Sequence, residues 1–267
     1  MFLSARARVA LRLLMVVGLA FLYVPLAIVI LNAFNKSQTF AFPPTGYTFK
    51  WWHDAANSHG AIDGLWNSVK AGLGATAVAL VLGTMAAFAV QRYRFFGRST
   101  VSFLVILPIA LPGIVTGIAL QNAFTLFLHI SLSIWTIIIG HATFCVVIVF
   151  NNVQARLRRT GTSLEDASAD LGATGWQTFR FVTFPNLRGA LVAAALLAFG
   201  LSFDEIVVTN FTAPADVQTL PLWIFNNLFR PNQAPVVNVV AAVLIVVAVL
   251  PVWLAQRLTD DVASSRF

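Results

Sequence analysis

Apolar residues fall in six long runs separated by polar spacers: about Leu13–Leu31, Leu65–Val90, Val101–Phe124, Leu132–Phe150, Ala190–Phe211 and Val236–Ala255. Each run is close to the roughly 20 residues that a helix needs to cross about 30 Å of hydrocarbon. In lipid the backbone must satisfy its own hydrogen bonds, so such runs are expected to be helices rather than lone strands. The pattern predicts an all-α membrane protein with six transmembrane helices in a single domain over 1–267. Pro108 and Pro112 interrupt the third run. Arg6, Arg8 and Arg12 precede the first run as a signal-peptide leader would. The apolar stretch that follows is too long for a signal-peptide core, and no small-x-small site ends it, so it is expected to stay as a helix.

Composition agrees with burial in lipid. The 267 residues are 58% hydrophobic and only 10% charged, with a mean hydropathy of +0.82. A soluble domain carries about 25% charged residues. The net charge of +7 is scattered through the spacers instead of forming a basic patch, which argues against nucleic acid as a partner. Thirteen of the 17 basic residues fall on one side of the six-helix scheme. They are Arg6, Arg8 and Arg12, then Arg92, Arg94 and Arg98, then Arg156, Arg158, Arg159, Arg180 and Arg188, and finally Arg257 and Arg266. Lys36, Lys50, Lys70 and Arg230 are left for the other side. The positive-inside rule then puts both termini in the cytoplasm. Cys145 is the only cysteine, so no internal disulfide is possible, and it is expected to be a small packing residue.

Motif searches narrow the chemistry. Gly72-Leu-Gly74-Ala-Thr-Ala77 has dinucleotide-fingerprint spacing but lies inside an apolar run with no strand before it, so close helix packing is the expected role. No GxxxxGK[ST] loop occurs, so the chain has no phosphate cradle for ATP. His53, His59, His129 and His141 lack metal-ligand spacing. Neither a catalytic triad nor a cofactor site is expected, and the chain is not expected to be an enzyme. Two outer spacers are sizeable, and Trp51, Trp52 and Trp223 in them read either as interfacial anchors or as part of a docking surface for an external partner.

The polar stretch Asn151–Gly189 is too long for a simple turn and is predicted to be a cytoplasmic loop with its own order. Thr162-Ser-Leu-Glu165 and Thr174-Gly-Trp-Gln177 read as capping boxes opening two short helices. Gly172 is placed to close the first, and the second should stop near Pro185. Leu164, Ala167, Ser168 and Leu171 share one face of the first helix, and Glu165, Asp166 and Asp170 form an acidic group. The run Asp166-Ala167-Ser168-(x3)-Gly172-(x9)-Val182-x-Phe184-Pro185 resembles the EAA loop of bacterial ABC-importer permeases, E-A-A-x3-G-x9-I-x-L-P. Every spacing matches; Asp166, Ser168, Val182 and Phe184 are conservative departures, and Glu165 could share the acidic role.

The resemblance widens to the C-type permease subunit of spermidine/putrescine importers through Ser202-Phe-Asp204-Glu205, Val207-Val208, Thr219-Leu-Pro221 and Asn238-Val-Val. It implies a type I importer fold in the bacterial cytoplasmic membrane. It also implies a coupling helix that docks on an ATP-binding subunit, two copies of that subunit, a second homologous permease and an external substrate-binding protein. It leaves the solute open within that class.

Two further classes stand beside it. A secondary transporter should show inverted repeats and paired broken helices, and only the third run is predicted to be broken. An intramembrane enzyme should place a nucleophile or ligands at matched depth, and none is found.

Asp204 and Glu205 fall inside the fifth run, where each carboxylate costs about 2.5–3.5 kcal/mol on insertion scales. In a continuous helix Glu205 would share a polar face with Ser202, Thr209 and Thr212, suited to a water-filled pathway, while Asp204 would align with Gly200 and Val208. The pair is expected either to attract a cationic substrate or to pair with neighbouring subunits. Periodicity points to Glu205 as the pathway group, and the family likeness points to Asp204.

Overall fold

The computed structural model describes residues 4–38 and 42–247. Among them all regular structure is helical: α1 (Ala5–Asn32), α2 (Lys50–Ala56), α3 (His59–Arg92), α4 (Arg98–Ala110), α5 (Gly113–Asn122, ending in a π-turn over Ala123–Phe127) and α6 (Ile134–Thr160). They are followed by α7 (Ser163–Asp170), α8 (Gly175–Thr178), a π-turn over Phe179–Thr183, α9 (Phe184–Phe203), α10 (Val207–Thr212), α11 (Leu220–Asn227) and α12 (Ala234–Val247). The end of the sixth predicted run, with Arg257 and Arg266, lies outside the described residues.

Four continuous helical stretches are long and apolar enough to cross a membrane: Arg6–Asn32, His59–Arg92, Ile134–Thr160 and Gly175–Phe203. The third run is two helices rather than one. α4 and α5 meet at Leu111–Pro112 with a bend of 106°. Pro112 has no amide proton and disfavours helical geometry at the residue before it, and Leu111 is accordingly extended (φ −84°, ψ 142°).

The fourth and fifth runs also differ from expectation. α6 continues past Phe150 to Thr160, with Val153 and Leu157 still buried. α8, the π-turn and α9 form one helical stretch that passes Pro185 without stopping. The π-turn just before Pro185 shifts the hydrogen-bond register where the missing donor would interrupt it. The predicted loop 151–189 is therefore mostly helix, and only the α7 segment lies between the two long helices. At the other end, α9 stops at Phe203 and the chain breaks before α10, so the predicted helix over 190–211 is not continuous.

The chain forms two compact units. In one, built from the described residues of Met1–Ile62 and Ile224–Phe267, Trp51 is buried with Ala33, Val239 and Ala242. Its indole N–H donates to Asn35 O at 2.9 Å. The Trp52 ring lies 5.0 Å from Phe34. Along α1, large apolar side chains such as Leu14 and Phe21 face outward.

The other unit, Asp63–Trp223, is organised around α6. Its core joins Ala75, Ala79, Ala87 and Val90 of α3 with Ala142, Cys145, Val149, Phe150 and Val153 of α6, and with Leu187, Ala194 and Ala198 of α9. Lipid tails are as apolar as these side chains, so close packing and hydrogen bonds, rather than exclusion of water, hold such helices together. The small residues do this. A Cβ on Gly74 would come within 2.8 Å of Ile138, and one on Gly83 within 2.9 Å of the Val146 carbonyl. Gly72 sits against Phe199 in the same way, so the apparent nucleotide fingerprint is a helix contact. Trp223 is buried in this unit, so neither it nor Trp51 acts as an exposed interfacial anchor or an open docking surface in the chain.

Candidate functional site

Two regions of the larger unit carry the sequence-predicted site residues: the α7 turn and the break after α9.

At α7 the expected closure is present in full. Gly172 has φ +81°, a conformation that strains a residue with a Cβ. Its N–H bonds Ala169 O at 2.8 Å, and the Ala173 N–H bonds Ser168 O at 3.1 Å, which is a Schellman motif. Thr174 then opens α8 with a reciprocal capping box. Gln177 N–H donates to Thr174 Oγ1 at 3.3 Å, and Gln177 Oε1 accepts from the Thr174 N–H at 2.7 Å.

The other expected capping box does not form. Thr162 makes no side-chain cap bond. Glu165 instead turns to the end of α3, where the Arg92 Nη2 donates to its Oε1 at 3.0 Å and Arg92 Nε lies 2.9 Å from Oε2 as an ion pair. Thr183 Oγ1 donates to the same Oε1 at 3.0 Å, and Arg92 Nη2 also reaches Gly161 O at 2.8 Å. A planar guanidinium matched to a carboxylate outcompetes a single local amide, which explains the choice. Glu165 is thus an internal joint and does not share the exposed acidic face with Asp166.

The predicted α7 face is divided as well. Leu164, Asp166, Ala167, Asp170 and Leu171 are exposed, whereas Ser168 is half-buried, with its hydroxyl 3.0 Å from Thr178 Oγ1. Val182 lines a small recess with Arg92, Leu157, Glu165, Thr183 and Leu187. Pro185 is exposed at the start of α9.

At the second region, α9 ends at Phe203 and α10 begins at Val207, with three residues between them. Asp204 caps α9 and is exposed. Glu205 is half-buried, and its Oε1 accepts the Val208 N–H at 2.8 Å, so this carboxylate sits on the first turn of α10. The break overturns the continuous polar face expected from periodicity. Ser202, Thr209 and Thr212 are buried and turned into the helix packing, not toward an open pathway. His141 of α6, which has no metal-ligand spacing in the sequence, meets Ser202 and Thr209. Its Nδ1 lies 2.7 Å from Ser202 Oγ and its Nε2 lies 2.8 Å from Thr209 Oγ1. Thr136 Oγ1 donates to Thr212 O at 2.7 Å. The signal available in the sequence was a histidine in an apolar run together with hydroxyls in another.

The α4–α5 break lies beside this one. A Cβ on Gly113 would come within 3.4 Å of Val207, and one on Gly117 within 2.5 Å of the Phe211 ring. The Gly113-x3-Gly117 spacing seats α5 directly on α10. The expectation of one broken run was therefore an undercount, since two breaks stand together. Among the described residues no His, Cys, Asp or Glu cluster could hold a metal ion.

The same fold recurs in a bacterial ABC transporter involved in the import of the acidic polysaccharide alginate, with TM-score 0.73 and 15% identity over 96% of this chain and 99% of that one. The spermidine/putrescine transport system permease protein PotC of Haemophilus influenzae is 32% identical over 92% of this chain and 94% of its own length. The putrescine transport system permease protein PotI of Escherichia coli is 29% identical over 87% and 84%. The family described as binding-protein-dependent transport system inner membrane component matches residues 79–263. With two thirds of its length matched by that family and a relative of like size at this identity, the chain is a transport permease belonging to the binding-protein-dependent inner membrane components.

Proposed function

We propose that this chain forms part of the translocation pathway of an ATP-driven importer for polyamines such as spermidine and putrescine. The observation that carries the substrate reading is the exposed Asp204 carboxylate beside Glu205, at a helix break in a chain 32% identical to a spermidine/putrescine permease. Carboxylates held where water is scarce create a strong field for a polycation. Ser202 and Thr209 support this site from behind.

In this reading the whole chain works as one permease domain of six membrane spans with both termini in the cytoplasm. ATP is hydrolysed on a separate ATP-binding subunit, present in two copies. A second homologous permease completes the pathway, and an external binding protein delivers the substrate. The exposed residues Asp166 and Ala167, with Leu164 and Leu171, dock on the ATP-binding subunit. Glu165, Ser168, Gly172, Val182 and Pro185 hold that surface in shape.

A second reading keeps the importer class and changes the solute. It draws on the fold neighbour, which imports an acidic polysaccharide, so the fold alone is compatible with solutes of either charge. The test is ATP hydrolysis by the complex purified through this chain, with its binding protein, screened against polyamines, amino acids and oxyanions. Stimulation by polyamines supports the first reading; stimulation by another group and not by polyamines replaces it with the second.

A further inference from the structure

His141 touches both sides of the break between α9 and α10. Its ring is fully buried, Nδ1 faces Ser202 in the last turn of α9, and Nε2 faces Thr209 in α10. The protons can be assigned from the donors available. Thr209 has one hydroxyl proton and gives it to Glu205 O at 2.8 Å. Its oxygen can therefore only accept from the imidazole, so Nε2 carries the ring proton. Nδ1 of the neutral ring is then an acceptor, and the Ser202 hydroxyl is its donor. The result is a directed chain from Ser202 through His141 and Thr209 to the backbone of Glu205.

Apart from the Glu205 carboxylate, which accepts the Val208 N–H at 2.8 Å, no local residue fixes the geometry of the break. Residues 204–206 contain no proline or glycine, and a helix left to itself would run on through them. The structure assigns His141 as a positioning residue: it clamps α9 to α10 and so sets where Asp204 and Glu205 stand. It contacts no substrate. The clamp itself is a property of this chain, while its effect on uptake rests on the polyamine reading proposed above.

The test uses the complex purified from native membranes through a tag on this chain and reconstituted in lipid vesicles. Spin labels at Leu201→Cys and Asn210→Cys, both exposed and on either side of the break, report its geometry. Spermidine uptake into the same vesicles, without labels, reports function. His141→Leu removes both hydrogen bonds and is expected to broaden the distance distribution and to lower maximal uptake by about tenfold, within the net worth of two such bonds, with KM changed less than about twofold. His141→Gln keeps one donor and one acceptor and is expected to hold both readouts near wild type. Thr209→Val keeps the volume but removes the acceptor, and is expected to act like His141→Leu; it decides the matter if His141→Leu fails to assemble. A narrow distribution in the clamp variants overturns the assignment, as does a broad one with normal uptake. If wild type takes up no spermidine, the substrate reading falls and the distance measurement alone decides the clamp.

Discussion

Arg92, the last residue of α3, grips Glu165 of α7 through both carboxylate oxygens, at 3.0 Å from Nη2 to Oε1 and 2.9 Å from Nε to Oε2. The two residues are 73 positions apart, and Thr183 before α9 completes the contact. Three elements therefore meet on one carboxylate, which ties α7 to the ends of two long helices.

Removing one partner should loosen this joint. The side chains are only 13% and 23% exposed, so Glu165→Gln or Arg92→Ala is expected to cost about 2 kcal/mol, below the ~3–5 of a fully buried pair. Thermal unfolding of the purified complex measures the loss, and the ratio of transported solute to hydrolysed ATP is expected to fall with it. Asp166→Lys should behave differently, because Asp166 is exposed and makes no such contact. It is expected to weaken docking of the ATP-binding subunit in a salt-dependent way, with little effect on stability. Equal unfolding temperatures for Glu165→Gln and wild type would remove the joint from the account.

Gly172 offers a backbone test free of packing effects. No atom lies within 4 Å of where its Cβ would be, so a side chain fits and only the φ of +81° resists it. Gly172→Val is expected to cost well over ~1 kcal/mol at the α7 turn and to uncouple transport without preventing membrane insertion. Gly172→Asn tolerates this φ and should retain most transport. Equal transport by both variants would show that the turn does not set coupling.

These two residues also show what could be read from the sequence. Gly172 and the Thr174–Gln177 box are local devices, with every partner within a few residues, and both form as their spacing indicates. Thr162–Glu165 has the same local signature, but Arg92 lies across the fold and takes the carboxylate. The end of α6 was hidden for another reason. Asn151 and Asn152 end the apolar run, yet the helix continues to Thr160 because Val153 and Leu157 still pack on α3 and α9. The break at Asp204 carries no proline or glycine. Its signal is the cost of two adjacent carboxylates in a membrane helix, and the Ser202 and Thr209 hydroxyls around it, which periodicity assigns to a pathway, are bonded to His141 from another helix.

The basic residues predict the membrane orientation. Within the larger unit Arg92 reaches Gly161 O, and Arg156 Nε donates to Asn186 O at 2.9 Å, so the ends of α3 and α6 and the start of α9 share one end with most of the arginines. Reporter fusions after Arg98 and Arg159 are expected to read cytoplasmic, and fusions near Lys50 and Asp216 external. A fusion after Arg266, outside the described residues, should also read cytoplasmic. A cytoplasmic signal at Lys50 would end the six-span scheme.

The most direct measurement is ATP-driven uptake of labelled spermidine into vesicles carrying the complex and its binding protein, with wild type compared to Asp204→Asn plus Glu205→Gln. The substitutions are mild in structure. Asp204 is exposed, and glutamine at 205 keeps an acceptor for the Val208 N–H. The complex should therefore still assemble, while polycation uptake falls by about tenfold or more as the local field is lost. Uptake by the double variant at the wild-type rate, or a complex that falls apart without the two charges, would contradict a pathway role for this pair.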